Sequence, residues 1–296
     1  MIISRQQDVT DVVLDAMSRA PDDRLRTIMA SFVRHLHAFA RDVHLTEAEF
    51  EFAIDFLNRI GQATNDAHNE AVLFSDAVGL STLVCLLNNG QDGASETAAA
   101  LLGPFWRANA PQMANGASIV RSPTPGPPLF VNCNIRDAKG APIAAARVDV
   151  WQASPSGMYE NQDDGQADMN LRGVFTTDAE GRFGFRSVKP AGYPVPTHGP
   201  TGEMLAAQRR HPYRPAHLHV LAYKPGFKTL ITQVFVDHDE HLESDVVFGV
   251  TRALIGDFRK GEGSPPAADV TGEWFSLNYT FVMEPGEAVL PHPPIK

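Results

Sequence analysis

The chain has 296 residues, 43% hydrophobic and 20% charged, with a net charge of −10 and a pI near 5.5. This is the profile of a soluble globular protein, long enough for two domains or one domain with an extension, and its acidity argues against a nucleic-acid partner, which selects a basic face. No apolar run reaches the length of a membrane span and residues 1–6 lack a charged stretch leading into an apolar one, so the expected location is the cytoplasm, with Cys85 and Cys133 as reduced thiols.

The helix-breaking residues are unevenly spread. All but Pro21 of the 22 prolines, and all but Gly61, Gly79, Gly90 and Gly93 of the 23 glycines, lie beyond residue 100. A stretch poor in both reads as helical, and one rich in both as strands and loops. The composition therefore predicts a helical domain over 1–103 and a β domain over 104–296, an α+β protein.

Within the first part, Val12, Val13, Ala16 and Met17 fall at helical spacing, as do Ile28, Phe32, Leu36 and Phe39. Thr46-Glu47-Ala48-Glu49 reads as a capping start before Phe50, Phe52, Ala53, Phe56 and Leu57. Residues 72–87 are almost entirely apolar, predicting a helix buried on most sides. Asp76 inside it is either solvent-facing or a buried carboxylate that needs a partner or polar cavity. The apolar surplus of these helices needs a covering surface.

The second part predicts strands at 129–135, 146–151, 173–176, 181–185, 217–223, 229–236 and 274–282, separated by Gly- and Pro-rich turns. Short strands at such intervals predict an antiparallel β-sandwich. Residues 291–296 read as an irregular surface arm. There is no Gly-rich phosphate loop, no repeat and no Gly-x-Ser-x-Gly elbow of a hydrolase.

His217 and His219, in Arg214-Pro215-Ala216-His217-Leu218-His219, carry the chemistry. Residues i and i+2 of a strand share one face, so both imidazoles point the same way. Two neutral imidazoles side by side can share a metal; a polar strand edge would show the same pattern, and a carboxylate could complete a two-His-one-carboxylate site. All five tyrosines lie after residue 150, and Tyr159 and Tyr193 sit in loops rich in Gly and Pro. Two tyrosinates with two imidazoles make a hard, anionic donor set that suits Fe(III).

Leu102-Gly103-Pro104-Phe105-Trp106, Asp149-Val150-Trp151-Gln152-Ala153 with Gly157-Met158-Tyr159, and the Arg214–His219 motif resemble the intradiol ring-cleaving dioxygenases, over about residues 20–285. The stretches 73–81 and 237–250 look most like the hydroxyquinol 1,2-dioxygenases of that family. The resemblance implies one non-haem Fe(III) per chain, held by Tyr193 and His219 on one axis and by Tyr159 and His217 in the plane, with Tyr193 released as the diol binds. It implies Arg214 as the group stabilising negative charge on the reacting ring and Gln233 as its neighbour. It implies a pocket of Leu73, Asp76, Leu101, Leu102, Gly103, Pro104, Phe105, Val195, Pro196 and Val247, in which Asp76 meets a third ring hydroxyl. It also implies a homodimer through the N-terminal helices with a phospholipid in a hydrophobic tunnel. The alternatives are a catechol or substituted-catechol 1,2-dioxygenase, the small apolar run 98–102 being able to reshape the cavity, or a metal-free transthyretin-like sandwich, which resembles residues 137–151 alone.

Overall fold

The computed structural model describes residues 2–89 and 97–296; Gly90 and Gly93 lie outside the described residues. Contacts group the chain into two compact units, residues 1–58 and 59–296, so the packing boundary falls inside a helix whereas the composition changes at 103.

The first unit holds α1 (Asp8–Met17), α2 (Asp23–Asp42) and most of α3 (Glu47–Ala63). Asp22 caps α2 by accepting the Leu25 amide at 2.8 Å, and Thr46 and Glu49 form the expected capping box at α3, Glu49 accepting the Thr46 amide at 2.9 Å. Thr10 Oγ1 meets His37 Nδ1 at 3.0 Å and ties α1 to α2. The stripe of Ile28, Phe32, Leu36 and Phe39 is about half exposed.

In the second unit, the apolar run 72–87 is two helices, α4 (Glu70–Ala77) and α5 (Leu80–Asn89), bent by 76°. Gly79 takes φ +75°, the left-handed conformation that ends a helix. The expectation of one buried helix is thus corrected: Leu73, Asp76 and Ala77 of α4 are buried, while α5 has no buried residue and leaves Leu83 and Leu87 exposed. Among the described residues, no single helix is long and apolar enough to cross a membrane. Cys85 and Cys133 are both unpaired.

Two sheets form the sandwich. Taking strands in chain order, β1 is Pro128–Asp137, β2 Arg147–Trp151, β3 Arg172–Thr176, β4 Arg182–Val188, β5 Tyr193–Pro194, β6 Tyr213–Arg214, β7 His217–Tyr223, β8 Leu230–Val236, β9 Ile255–Gly256, β10 Phe258–Lys260 and β11 Phe275–Met283, with α6 (Pro200–Ala207) between β5 and β6. One sheet runs β10-β11-β1-β4 and the other β3-β2-β7-β8-β9; β5 and β6 make a separate ribbon. Each predicted strand is present, but the sheets are mixed rather than antiparallel throughout. β1 pairs with β11, and β8 with β9, in parallel. Their long connections let the chain return in the same sense, which a purely hairpin-linked sandwich does not allow.

Alternation decides which face becomes core. Leu129, Val131, Cys133 and Ile135 of β1 point inward and meet Val148, Val150, Leu218, Val220, Ala222, Val234 and Val236 of the other sheet. The opposite face of β2-β7-β8 is therefore free to carry chemistry: Trp151, His219 and Gln233 lie side by side in register, with His217 beside Phe235 in the next row.

Candidate metal and substrate site

Strand register places the two histidines. His217 and His219 share the outer face of β7, and their Nε2 atoms stand 3.1 Å apart. Trp151, the cross-strand neighbour of His219, stacks on its ring at 4.6 Å and 10°. His217 Nδ1 lies 2.7 Å from the Pro215 carbonyl, so Nδ1 carries the proton and Nε2 turns its lone pair towards the site, where Arg214 also reaches it. His219 Nδ1 meets no partner among the described residues. Burial, reinforced by Arg214, pushes the His217 pKa down to about 3, and burial together with His217 holds His219 well below its ordinary value. Both rings are neutral at pH 7, the form that ligates a metal.

The tyrosines arrive on separate loops. Tyr159 opens a short 3₁₀ turn (Glu160–Gln162), where its amide is held by Gln162 Oε1 at 3.0 Å. Tyr193 belongs to β5 and is paired directly with Arg214 of β6, so one two-residue ribbon sets both side chains. The two phenol oxygens are 3.2 Å apart. Burial raises both phenol pKa values, that of Tyr159 further because Tyr193 is beside it.

These four side chains are at most 5% exposed. The arrangement fits a hard, highly charged cation. Two buried phenols ionise only against strong positive charge, and two neutral imidazole nitrogens 3.1 Å apart can turn their lone pairs to one cation. Among the described residues no third His, Cys, Asp or Glu joins His217 and His219, so the two-His-one-carboxylate alternative finds no carboxylate here.

Arg214 turns towards this centre because the strand is interrupted at Pro215-Ala216, between β6 and β7. Its Nη1 donates to His217 Nε2 at 3.2 Å and its Nη2 to Gln233 Oε1 at 2.9 Å. Gln233 Nε2 in turn donates to the Leu101 carbonyl at 2.8 Å. Asp245 grips the guanidinium from the other side, and sequence reasoning missed it: it lies 31 positions away along the chain, and no spacing rule links an arginine to a carboxylate in a later loop. Also missed is the network behind Tyr159, where buried Glu160 binds Arg172 Nε at 2.7 Å and Arg107 Nη1 at 2.7 Å while Arg172 Nη1 reaches the Phe105 carbonyl at 2.6 Å.

A cavity opens beside these groups. Leu73, Asp76, Gly103, Pro104, Phe105, Val195 and Val247 line it together with Tyr193, Arg214 and His219. Leu101, Leu102 and Pro196 do not line it. Leu101 packs with Leu73 and Val247, Leu102 packs against the cluster of Phe105 and Tyr159, and both face a neighbouring groove that also carries Asp76 and Gly103. Phe105 stacks on Tyr159 at 4.6 Å, so the cavity wall and a donor residue form one unit. Gly103 has φ +73° and would place a Cβ 3.5 Å from His219 Cε1.

Asp76 is 3% exposed in this mostly apolar wall. Burial raises its pKa to about 6; the Ser81 hydroxyl and Arg214 oppose that rise and Asp245 adds to it.

Known proteins resemble this chain over nearly its whole length. The family described as catechol dioxygenase N terminus matches residues 22–96, and that described as dioxygenase matches residues 101–285. A hydroxyquinol 1,2-dioxygenase of Rhizobium sp. (strain MTP-10005) is 43% identical, covering 92% of this chain and 93% of that one. A 6-chlorohydroxyquinol 1,2-dioxygenase of Cupriavidus pinatubonensis is 40% identical over 95% of this chain and 98% of its own. The crystal structure of hydroxyquinol 1,2-dioxygenase from Pseudomonas putida DLL-E4 superposes with a TM-score of 0.85 at 36% identity, covering 95% of this chain and 99% of that chain. With both family patterns present in order and relatives matched nearly end to end, this chain belongs to the intradiol ring-cleavage dioxygenase family.

Proposed function

We propose that this protein is a hydroxyquinol 1,2-dioxygenase, which opens 1,2,4-trihydroxybenzene between its adjacent hydroxyl carbons with both atoms of O2. The product is 3-hydroxy-cis,cis-muconate and its keto form maleylacetate. One non-haem Fe(III), held by Tyr159, Tyr193, His217 and His219, supplies the electron-withdrawing centre that makes the bound diol reactive towards O2. The observation that carries the substrate choice is Asp76, a carboxylate buried among Leu73, Phe105, Val195 and Val247 of the cavity lining.

The residues divide the work. Tyr193, which would be ionised when the metal is held, would take a proton from a substrate hydroxyl as the diol enters and become a neutral phenol. The Arg214 guanidinium, kept charged by Asp245, steadies negative charge that builds on the ring in a site without bulk water. Gln233 holds Arg214 in that pose. Leu73 and Phe105 flank the ring. Asp76 accepts the third hydroxyl, which catechol lacks; a buried acceptor left unpaired costs about 1–3 kcal/mol.

Steady-state kinetics on hydroxyquinol, catechol and 4-chlorocatechol with iron-loaded protein test this reading. Hydroxyquinol should be favoured in kcat/KM by roughly 5- to 100-fold over catechol, and Asp76→Ala should remove most of that preference. A wild-type preference for catechol would overturn it, and a colourless, iron-free protein inert to all three would overturn the enzyme assignment. We also infer a homodimer joined through the half-exposed apolar stripe of α2, phospholipid chains bound at that joint, and a reducing cytoplasmic location suited to the free thiols. Light scattering and lipid extraction test the first two separately.

A further inference from the structure

Residues 291–296 carry no helix or strand and keep His292, Pro293 and Lys296 exposed, as expected of an irregular surface arm, but the arm is anchored. Ile295 is 3% exposed and belongs to the buried cluster of Phe105, Trp106, Trp151, Tyr159 and Tyr193. The anchoring has a physical reason: Pro291, Pro293 and Pro294 restrict the backbone in advance, so seating one isoleucine costs little further chain entropy.

The segment is tied at both ends of the substrate cavity. On one side, Asn69 Nδ2 donates to the Pro294 carbonyl at 3.3 Å, and the Lys296 amide donates to the Asp66 carbonyl at 3.0 Å. Asn69 is also the N-cap of α4, accepting the Val72 amide at 3.0 Å, and α4 carries Leu73 and Asp76. On the other side, Arg107 Nε donates to the Lys296 carbonyl at 3.0 Å, while its Nη1 grips Glu160, the residue after Tyr159. His292, Pro293 and Pro294 further wall a groove of about 730 Å³ whose other residues include Asp76, Leu101, Leu102 and Gly103.

We infer that residues 291–296 form a strap that sets the separation of the two cavity walls, α4 with Leu73 and Asp76 on one side and Phe105 on Tyr159 on the other. The strap is a positioning element and touches neither substrate nor metal. Because Ile295 is seated among the aromatic rings and the backbone ties reach both walls, loosening it lets the walls part and weakens substrate binding before it weakens chemistry. This inference rests on the dioxygenase reading for its kinetic consequence, but not for its structural one.

The test compares Ile295→Ala, Ile295→Val and a chain lacking residues 291–296 with Val289→Ala, exposed and outside the strap, as control. With iron-loaded protein, Ile295→Ala should raise KM for hydroxyquinol by roughly three- to tenfold while kcat changes by less than about twofold. Ile295→Val should recover most of the loss, and the visible band from the tyrosinate ligands should move in Ile295→Ala. In metal-free protein, tryptophan emission should shift to the red and amide exchange at 101–106 and 159–160 should quicken. Should the shortened chain fail to fold, the two single substitutions still decide the matter. Loss of thermal stability in Ile295→Ala with unchanged KM, emission and local exchange overturns the inference. If wild-type protein is inert to all diols, the function assignment fails, and the metal-free emission and exchange still decide whether the strap braces both walls.

Discussion

Arg214 and Asp245 form a two-pronged buried ion pair, Nε to Oδ1 at 3.1 Å and Nη2 to Oδ2 at 3.1 Å. Although burial opposes its ionisation, the Asp245 carboxyl is held below its ordinary pKa by Arg214. The Gly249 amide donates to Oδ2 at 3.0 Å, so the 245–249 loop that carries Val247 is locked to the same guanidinium. Asp245 therefore aims Nη1 at His217 and fixes one cavity wall together.

Asp245→Asn keeps the shape and removes the charge. It leaves a buried guanidinium without its counter-ion, which costs about 3–5 kcal/mol when a buried pair is broken. The expected result is a fall in kcat of roughly 10- to 100-fold with KM changed less, since Arg214 acts on charge that develops during reaction. Denaturant unfolding and steady-state kinetics measure the two effects. A variant with wild-type kcat would show that Arg214 is aimed without Asp245.

Strand positions and the four donor candidates were legible because they rest on local rules. A period of two put His217 and His219 on one face, and the Gly- and Pro-rich loops of Tyr159 and Tyr193 stood out in composition. Partners joined by the fold were not legible. Asp245, the Glu160–Arg172–Arg107 network and the seat of Ile295 each depend on side chains that meet only after the sheets assemble. The parallel pairing of β1 with β11 was hidden for the same reason, since pattern fixes a strand's inward face but not the direction of its neighbour. The bend at Gly79 had a local signal, the glycine itself, which the apolar run around it masked.

Asp76 makes selectivity and stability depend on pH. Its folded pKa, about 6, is raised above the ordinary carboxylate value of 3.8 by burial. A raised carboxylate favours folding fully below the unfolded value, and that contribution is lost as pH rises through 6. Wild type should therefore weaken relative to Asp76→Asn by about 2 kcal/mol between pH 4 and pH 8. Over the same window the preference for hydroxyquinol should rise as the carboxylate ionises and becomes a stronger acceptor. Unfolding of metal-free protein at both pH values reads the first effect, and the hydroxyquinol-to-catechol ratio of kcat/KM reads the second. A stability difference between the two proteins that stays constant with pH would show that Asp76 does not titrate there.

Gly103 is required for its backbone rather than its size. At φ +73° an L side chain is strained, while a Cβ at 3.5 Å from His219 meets ordinary contact. Gly103→Ala should cost about 1–2 kcal/mol and shift the pocket segment next to His219, raising KM for the triol. Thermal unfolding and kinetics check this; unchanged stability would mean that the segment relaxes to another conformation at no cost.

Ferric binding should release protons in proportion to the phenols that ionise. In the metal-free protein burial holds Tyr159 and Tyr193 protonated far above pH 7, whereas His217 and His219 are already neutral and release none. Fe(III) delivered at pH 7 as a chelate should therefore liberate two protons per site from the phenols, once the protons exchanged by the chelator and by water on the metal are subtracted. Tyr193→Phe should lower that number by one and move the visible band, and a chelator that strips the iron should bleach the colour and take the same protons back up. The measurement is titration of unbuffered metal-free protein under a pH-stat, alongside the visible spectrum. Release of fewer than two protons with full metal uptake would mean that one of the phenols is not a ligand, and the four-donor site would have to be redrawn around the remaining three.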